Sequence, residues 1–241
     1  MHETRDTKGF VNRVTSPEWI RYSDCRVQRD TAQVLTSFVS ATRSLVVLVI
    51  GVGGGGLFGW IWKEPGVTRI GVDLNHAVLT NPLHVNSFHA VEADAFDLPI
   101  ADRSIDVVVF DFVLHHLVGQ GHLSTAIDEG MRVLRPGGHF VAREPSSYSP
   151  SGVILNLANR FHLMHALAGA SNYEFALSPR TLLKIFREHG TVRAVHGLTY
   201  LCSHRLPPRL QDLVAGCKDL ARWTPRAEWL ADFVLYVVEK A

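Results

Sequence analysis

Gly51, Gly53 and Gly56 stand in the order G-x-G-x-x-G inside the run "GVGGGG", and Asp73 follows about 20 residues later. Glycines let a backbone turn sharply and pass close to a ligand. An acid at that distance can accept both hydroxyl protons of a ribose. Together they signal a nucleoside-bearing cofactor, although the glycine spacing leaves open which one. Asp73 has a competing reading, a cap for the helix that "LNHAVL" predicts. His115 and His116, in "VLHHL", supply imidazoles whose ordinary pKa near 6.5 suits proton acceptance. Packing or hydrogen bonding within their turn is the alternative. His162 and His165 have the spacing of two metal ligands, but no third ligand accompanies them, so no metal is expected. Cys25, Cys202 and Cys217 lie far apart and show neither metal spacing nor a disulfide framework.

These residues need elements to hold them. "SLVVLVIGVGGGGLFGWIW", residues 44–62, carries no charge and approaches the length of a membrane span. Its glycines argue against a helix, at about 1 kcal/mol each relative to Ala. The reading is a buried strand over 45–50 that ends in a glycine turn. Further strands are expected at 68–74, 88–94, 105–112 and 138–144, the last entered by a turn at "RPGG". Helices are expected at 27–41 and 123–134 among others. Strands alternating with helices predict an α/β fold with a parallel sheet covered on both faces. Asp73, Asp94, Asp111 and Glu144 then fall at strand carboxyl ends, where such sheets bind ligands.

After residue 145 the pattern changes. Residues 145–152 are turn-rich, 153–168 read as a helix, and 178–190 carry a capping Ser, a Pro at the first helical position and a closing Gly. "TVRAVHGLTYL" and 232–240 read as closing strands. The chain is expected to be one domain over 1–241, with an arm and helix at 1–43 and cap or insertion segments at 146–178 and 203–231. Trp19 and Tyr22 of the arm, and Tyr148, Asn172 and Tyr173, are pocket-lining candidates, with ordinary packing as the alternative.

"VEADAFDLPIADRSIDVVVFDFVLHHL" followed by "MRVLRPGGHFVAREP" closely resembles the class I S-adenosylmethionine-dependent methyltransferases, in particular those acting on small molecules. The resemblance covers about residues 40–145. It implies a Rossmann-like, seven-stranded, mostly parallel sheet with an antiparallel end strand and helices on both faces. It implies S-adenosylmethionine as cofactor and transfer of its methyl group to oxygen or nitrogen of a small acceptor. By the same resemblance Gly51, Val52, Gly53 and Gly55 pass beneath the methionine and ribose. Asp73 holds the ribose hydroxyls, Leu74 packs on adenine, and Asp94 and Ala95 meet the adenine edge. Asp111 and Phe112 meet the methionine end. His115 and His116 are the candidate bases. One departure stands out: the family usually has an acid two residues before the first glycine, and here that position is Val49. Asp111 and Glu144 are the candidates to replace it.

The net charge of +1 gives no electrostatic case for nucleic acid or an anionic membrane. The polar start of the chain is unlike a signal peptide, and a cytoplasmic protein is expected. A homodimer stays open. Three other readings share these motifs: a non-catalytic methyltransferase-like partner or scaffold, a cofactor-binding enzyme of non-methylating chemistry, and a nicotinamide-dependent oxidoreductase. The last lacks a Tyr-x-x-x-Lys proton donor.

Overall fold

The structure, a computed structural model, describes residues 26–38, 44–53, 66–80, 88–118, 122–160, 175–200 and 226–241. Helix α1 is Arg26–Phe38, followed by strands β1 (Leu45–Ile50) and β2 (Val67–Asp73) and the single-turn helix α2 (His76–Leu79). Next come β3 (His89–Glu92), β4 (Ile105–Asp111), the single turn α3 (Leu114–Leu117), α4 (Leu123–Val133) and β5 (Leu134–Pro145). The remainder is α5 (Pro150–Arg160), α6 (Pro179–His189), β6 (Gly190–Thr199), a 3-10 turn at Ala227–Leu230, and β7 (Phe233–Lys240).

The seven strands form one sheet in the order β3-β2-β1-β4-β5-β7-β6. The pairs among β1 to β5 are parallel. β7 runs antiparallel to both β5 and β6 and lies between them. This is the mostly parallel, Rossmann-like sheet the sequence predicts, with the antiparallel strand one place in from the edge.

β1 and β4 are apolar almost throughout because both of their faces are covered. Side chains alternate between two layers, as strand geometry requires. Leu48, Ile50, Val108 and Phe110 face one layer, with Phe140 and Phe186. Val47, Val49, Val107 and Val109 face the other, with Leu35 of α1. Leu45–Ile50 is therefore a core strand, and no helix among the described residues is long and apolar enough to cross a membrane.

The expected turn at "RPGG" is instead a bulge within β5. Leu134 pairs with Ile105 and His139 with Val107, so four β5 residues, 135–138, stand against Asp106 alone. Gly137 takes a left-handed φ of 72° there. Helix α6 starts as its punctuation predicts: Ser178 Oγ accepts the Thr181 N–H, and Pro179 stands in the first turn. Gly190 closes α6 as its type predicts, its N–H donating to Phe186 O, and it serves a second end. Its backbone is extended, and a Cβ there would lie 2.1 Å from Glu239 O. The glycine permits β6 to close on β7.

Two cations tie α4 to its surroundings. Arg132 pairs with Glu129 and Asp102 and donates to the Leu98 and Ile100 carbonyls. Lys240 Nζ donates to the Met131 and Leu134 carbonyls at the helix end.

Candidate functional site

The strand order reverses between β1 and β4, whose carboxyl ends are adjacent, with Ile50 beside Phe110. Ligands of open α/β sheets bind at such a crevice. Beyond β1 the chain turns through Gly51 (φ 72°) and Gly53 (φ 48°), conformations that glycine adopts without steric cost. The Gly51 and Val52 N–H groups donate to Val72 O of β2. Gly51 is also demanded by packing, since a Cβ there would lie 2.1 Å from Val113 Cγ2. Among the described residues, a Cβ on Gly53 would meet only Gly51 O, at 3.9 Å. Gly55 and Gly56 lie outside the described residues.

Asp73 ends β2 and clamps two turns. Its Oδ2 accepts the Gly53 N–H at 3.1 Å and its Oδ1 accepts the Asn75 N–H at 2.9 Å. The competing reading of Asp73 as helix cap goes to its neighbour, because Asn75 Oδ1 caps α2 through the Ala77 N–H. A carboxylate has about four lone-pair sites, so Asp73 can bind backbone and still accept from a ribose. Leu74 beside it is 59% exposed. The Ala93 N–H donates to Asp73 O and joins the ends of β2 and β3. One residue on, Asp94 Oδ1 accepts the Phe96 N–H, and Asp94 O accepts the Asp97 N–H. That hairpin fixes Asp94 and Ala95 at the crevice side of β3.

Near the end of β4 both candidate replacements for the missing acid have partners within the protein. Val49 itself is a core residue. Asp111 forms a two-pronged pair with Arg143, Oδ1 to Nε at 2.7 Å and Oδ2 to Nη2 at 2.8 Å. Arg143 is 1% exposed and also donates to Thr31 Oγ1 of α1. Glu144, with a fully buried side chain, accepts the Val113 and Leu114 N–H groups on Oε1. Its Oε2 accepts the His115 N–H and lies 2.7 Å from His115 Nδ1. Phe112, between Asp111 and the turn that Glu144 holds, has φ 59°, rare for a bulky residue and found chiefly at functional sites. Its ring lies under the Arg143 guanidinium and edge-on to Phe233, while its N–H donates to Arg143 O. His115 is 8% exposed, His116 somewhat more, and their rings lie 4.0 Å apart.

Glu144 also acts at a distance. Burial first, and then the Glu144 charge among others, pushes the Tyr236 hydroxyl well above its ordinary range.

Sequence reasoning missed Arg143 and Thr31. The signal for Arg143 was an arginine inside an apolar strand, which needs a partner when buried. Nothing in the sequence pointed to Thr31. Of the other candidates, Tyr148 packs its ring against Trp229. Trp19, Tyr22, His162, His165, Asn172 and Tyr173 lie outside the described residues.

A turn through two left-handed glycines, an acid on the neighbouring strand and an exposed Leu beside it fit the nucleoside half of S-adenosylmethionine. Comparison with known proteins agrees. Residues 48–142 match the methyltransferase domain family. An uncharacterized methyltransferase of Mycobacterium ulcerans is 31% identical over 170 residues, 67% of this chain and 59% of that protein. The chain spans less than half the length of several other curated relatives it matches. The N-methyltransferase NodS of Bradyrhizobium japonicum, solved with S-adenosyl-L-homocysteine, has a TM-score of 0.62 at 16% identity, over 98% of both chains. The [4+2]-cyclase SpnF has a TM-score of 0.61 at 14% identity, over 88% of this chain and 80% of that one. At such identities the likeness shows the fold. Motifs, fold and family match agree: the chain belongs to the class I S-adenosylmethionine-dependent methyltransferase family.

Proposed function

We propose that this protein transfers a methyl group from S-adenosylmethionine to an oxygen or nitrogen of a small molecule. The observation that carries the reading is the glycine turn clamped to Asp73, next to the β4 end that bears His115 and His116. The sulfonium supplies an already activated methyl group. The chain's residues therefore orient the acceptor, exclude water and receive its proton. His115 and His116 are the proposed bases. Gly51, Val52 and Gly53 form the shelf, to which the sequence pattern alone adds Gly55; Asp73 and Leu74 take the ribose and adenine, and Asp94 and Ala95 take the adenine edge. Phe112 packs at the methionine end, and Asp111 holds that corner through Arg143. The net charge of +1 favours a small acceptor over a polyanion, and a cytoplasmic location is part of the same reading. The segments 1–43, 146–178 and 203–231 are proposed to select the acceptor, as insertions commonly do.

Calorimetry with S-adenosylmethionine and S-adenosylhomocysteine tests this. Both should bind, and Asp94→Ala should weaken binding by about 5- to 100-fold, the loss of one buried hydrogen bond. No heat with either compound on the intact chain rules the reading out.

One observation favours a second reading, a non-catalytic partner protein. Val49 is apolar, and Asp111 and Glu144 are already engaged, which leaves the cofactor's ammonium less strongly held. Methyl transfer by the isolated chain to any small acceptor excludes it.

A further inference from the structure

His115, the first of the two adjacent histidines, has a contact that bears on proton transfer. His115 Nδ1 lies 2.7 Å from Glu144 Oε2, and the pair is sealed: the two side chains are 10% and 0% exposed. Glu144 reaches the histidine turn from the neighbouring strand β5, about 30 residues later in the chain. An ionised carboxylate only accepts hydrogen bonds. It already accepts three backbone N–H groups, from Val113, Leu114 and His115. With Oε2 facing it, Nδ1 must carry the ring proton when the imidazole is neutral. The second nitrogen, Nε2, is then the one with a lone pair. A group hydrogen-bonded to one ring nitrogen sets the tautomer in this way.

The carboxylate also fixes the ring's place. Val113 provides no side-chain cap for α3, so the N–H groups of that turn depend on Glu144. The same contacts brace the left-handed Phe112 immediately before it. Phe112 in turn stands edge-on to the His115 ring, 6.4 Å between centroids.

We propose that Glu144 is a positioning residue: it holds His115 as the Nδ1–H tautomer and so reserves Nε2 for accepting the acceptor's proton. This rests on the reading of His115 as a base. A residue serving only to cap the α3 turn would leave the tautomer unconstrained.

The experiment is long-range 1H–15N correlation on protein labelled with 15N-histidine, at about pH 8, where an ordinary imidazole is neutral. His115→Asn assigns the His115 signals by their loss. The wild type should show His115 Nδ1 in the protonated range and Nε2 in the unprotonated range. In Glu144→Gln the amide oxygen can keep the Val113 and Leu114 bonds, while the NH2 donates to Nδ1. The tautomer should then switch, with Nε2 moving into the protonated range. Glu144→Asp, if its shorter arm still reaches, should restore the wild-type pattern. An Nε2–H or mixed tautomer in the wild type overturns the proposal, as does a pattern unchanged in a folded Glu144→Gln protein. Should Glu144→Gln fail to fold, the wild-type spectrum alone decides. The same sample titrated with S-adenosylhomocysteine separates the two claims. No binding overturns the methyltransferase reading, whatever the tautomer. Binding with the wrong tautomer overturns only the role given to Glu144.

Discussion

At the scale of single residues, the crevice is held by side chains that support backbone. Asp73 carries the glycine turn and the entry to α2 on its two oxygens. Gly51 answers two demands at once, a left-handed φ and the closeness of Val113. Gly51→Ala should therefore cost about 1–2 kcal/mol for the backbone and about 1–3 kcal/mol for overpacking. Only the second part should be recovered by adding Val113→Ala. Urea denaturation of the two single variants and the double variant should show a favourable coupling of about 1 kcal/mol between the sites. Additive losses would show that Val113 does not restrain the turn. Asp111→Asn makes a separate prediction. It takes away half of a buried ion pair and should destabilise the fold by about 3–5 kcal/mol. Were Asp111 chiefly a cofactor ligand, the same change would weaken S-adenosylhomocysteine binding and leave denaturation of the free protein nearly unmoved.

At the scale of elements, Arg132 stitches the 98–102 loop to α4 through Glu129, Asp102 and two carbonyls. The Arg132 hydrogen bond, against some burial, holds the Glu129 carboxyl below its usual range. A depressed carboxylate adds stability that is complete above its unfolded pKa and disappears as pH falls through the folded one. Melting temperatures taken between about pH 5 and about pH 3 should thus fall more steeply for the wild type than for Glu129→Gln. Parallel slopes would mean the pair contributes nothing, as many partly exposed pairs do. Element boundaries were legible where a local cause sets them. Ser178 and Pro179 start α6 as their types predict, and the charge-free run 45–50 is a core strand of the sheet. "RPGG" misled because its bulge depends on pairing with β4, a neighbour that the local pattern does not contain. Gly190 ends α6 as its type predicts, while its closeness to the Glu239 carbonyl on β7 lies beyond the local pattern.

At the scale of the whole molecule, the alternation of strands and helices was enough for the sheet type. It could not reveal that β7 runs between β5 and β6, since strand order is set by contacts distant in sequence. The candidate site divides along the same line. Gly51, Gly53, Asp73 and Asp94 were legible from spacing and resemblance. The Asp111–Arg143–Thr31 and Glu144–His115 links were not, because each joins residues that only the folded sheet brings together. If S-adenosylhomocysteine binds the folded chain alone, it should raise the melting temperature. At about a hundredfold over its dissociation constant the gain is about 2.7 kcal/mol, or about 5–10 °C for a chain of this size. A scan without any shift at saturating concentration would contradict cofactor binding.

The position of β7 has a consequence for biosynthesis. Ribosomes deliver β5 and β6 before β7, yet β6 can join the sheet only across β7. While translation lies between residues 200 and 233, the β5 flank presents unpaired backbone groups, the kind of margin to which other chains add. A nascent chain arrested in that interval should be captured by holdase chaperones and lose this affinity once Lys240 has cleared the exit tunnel.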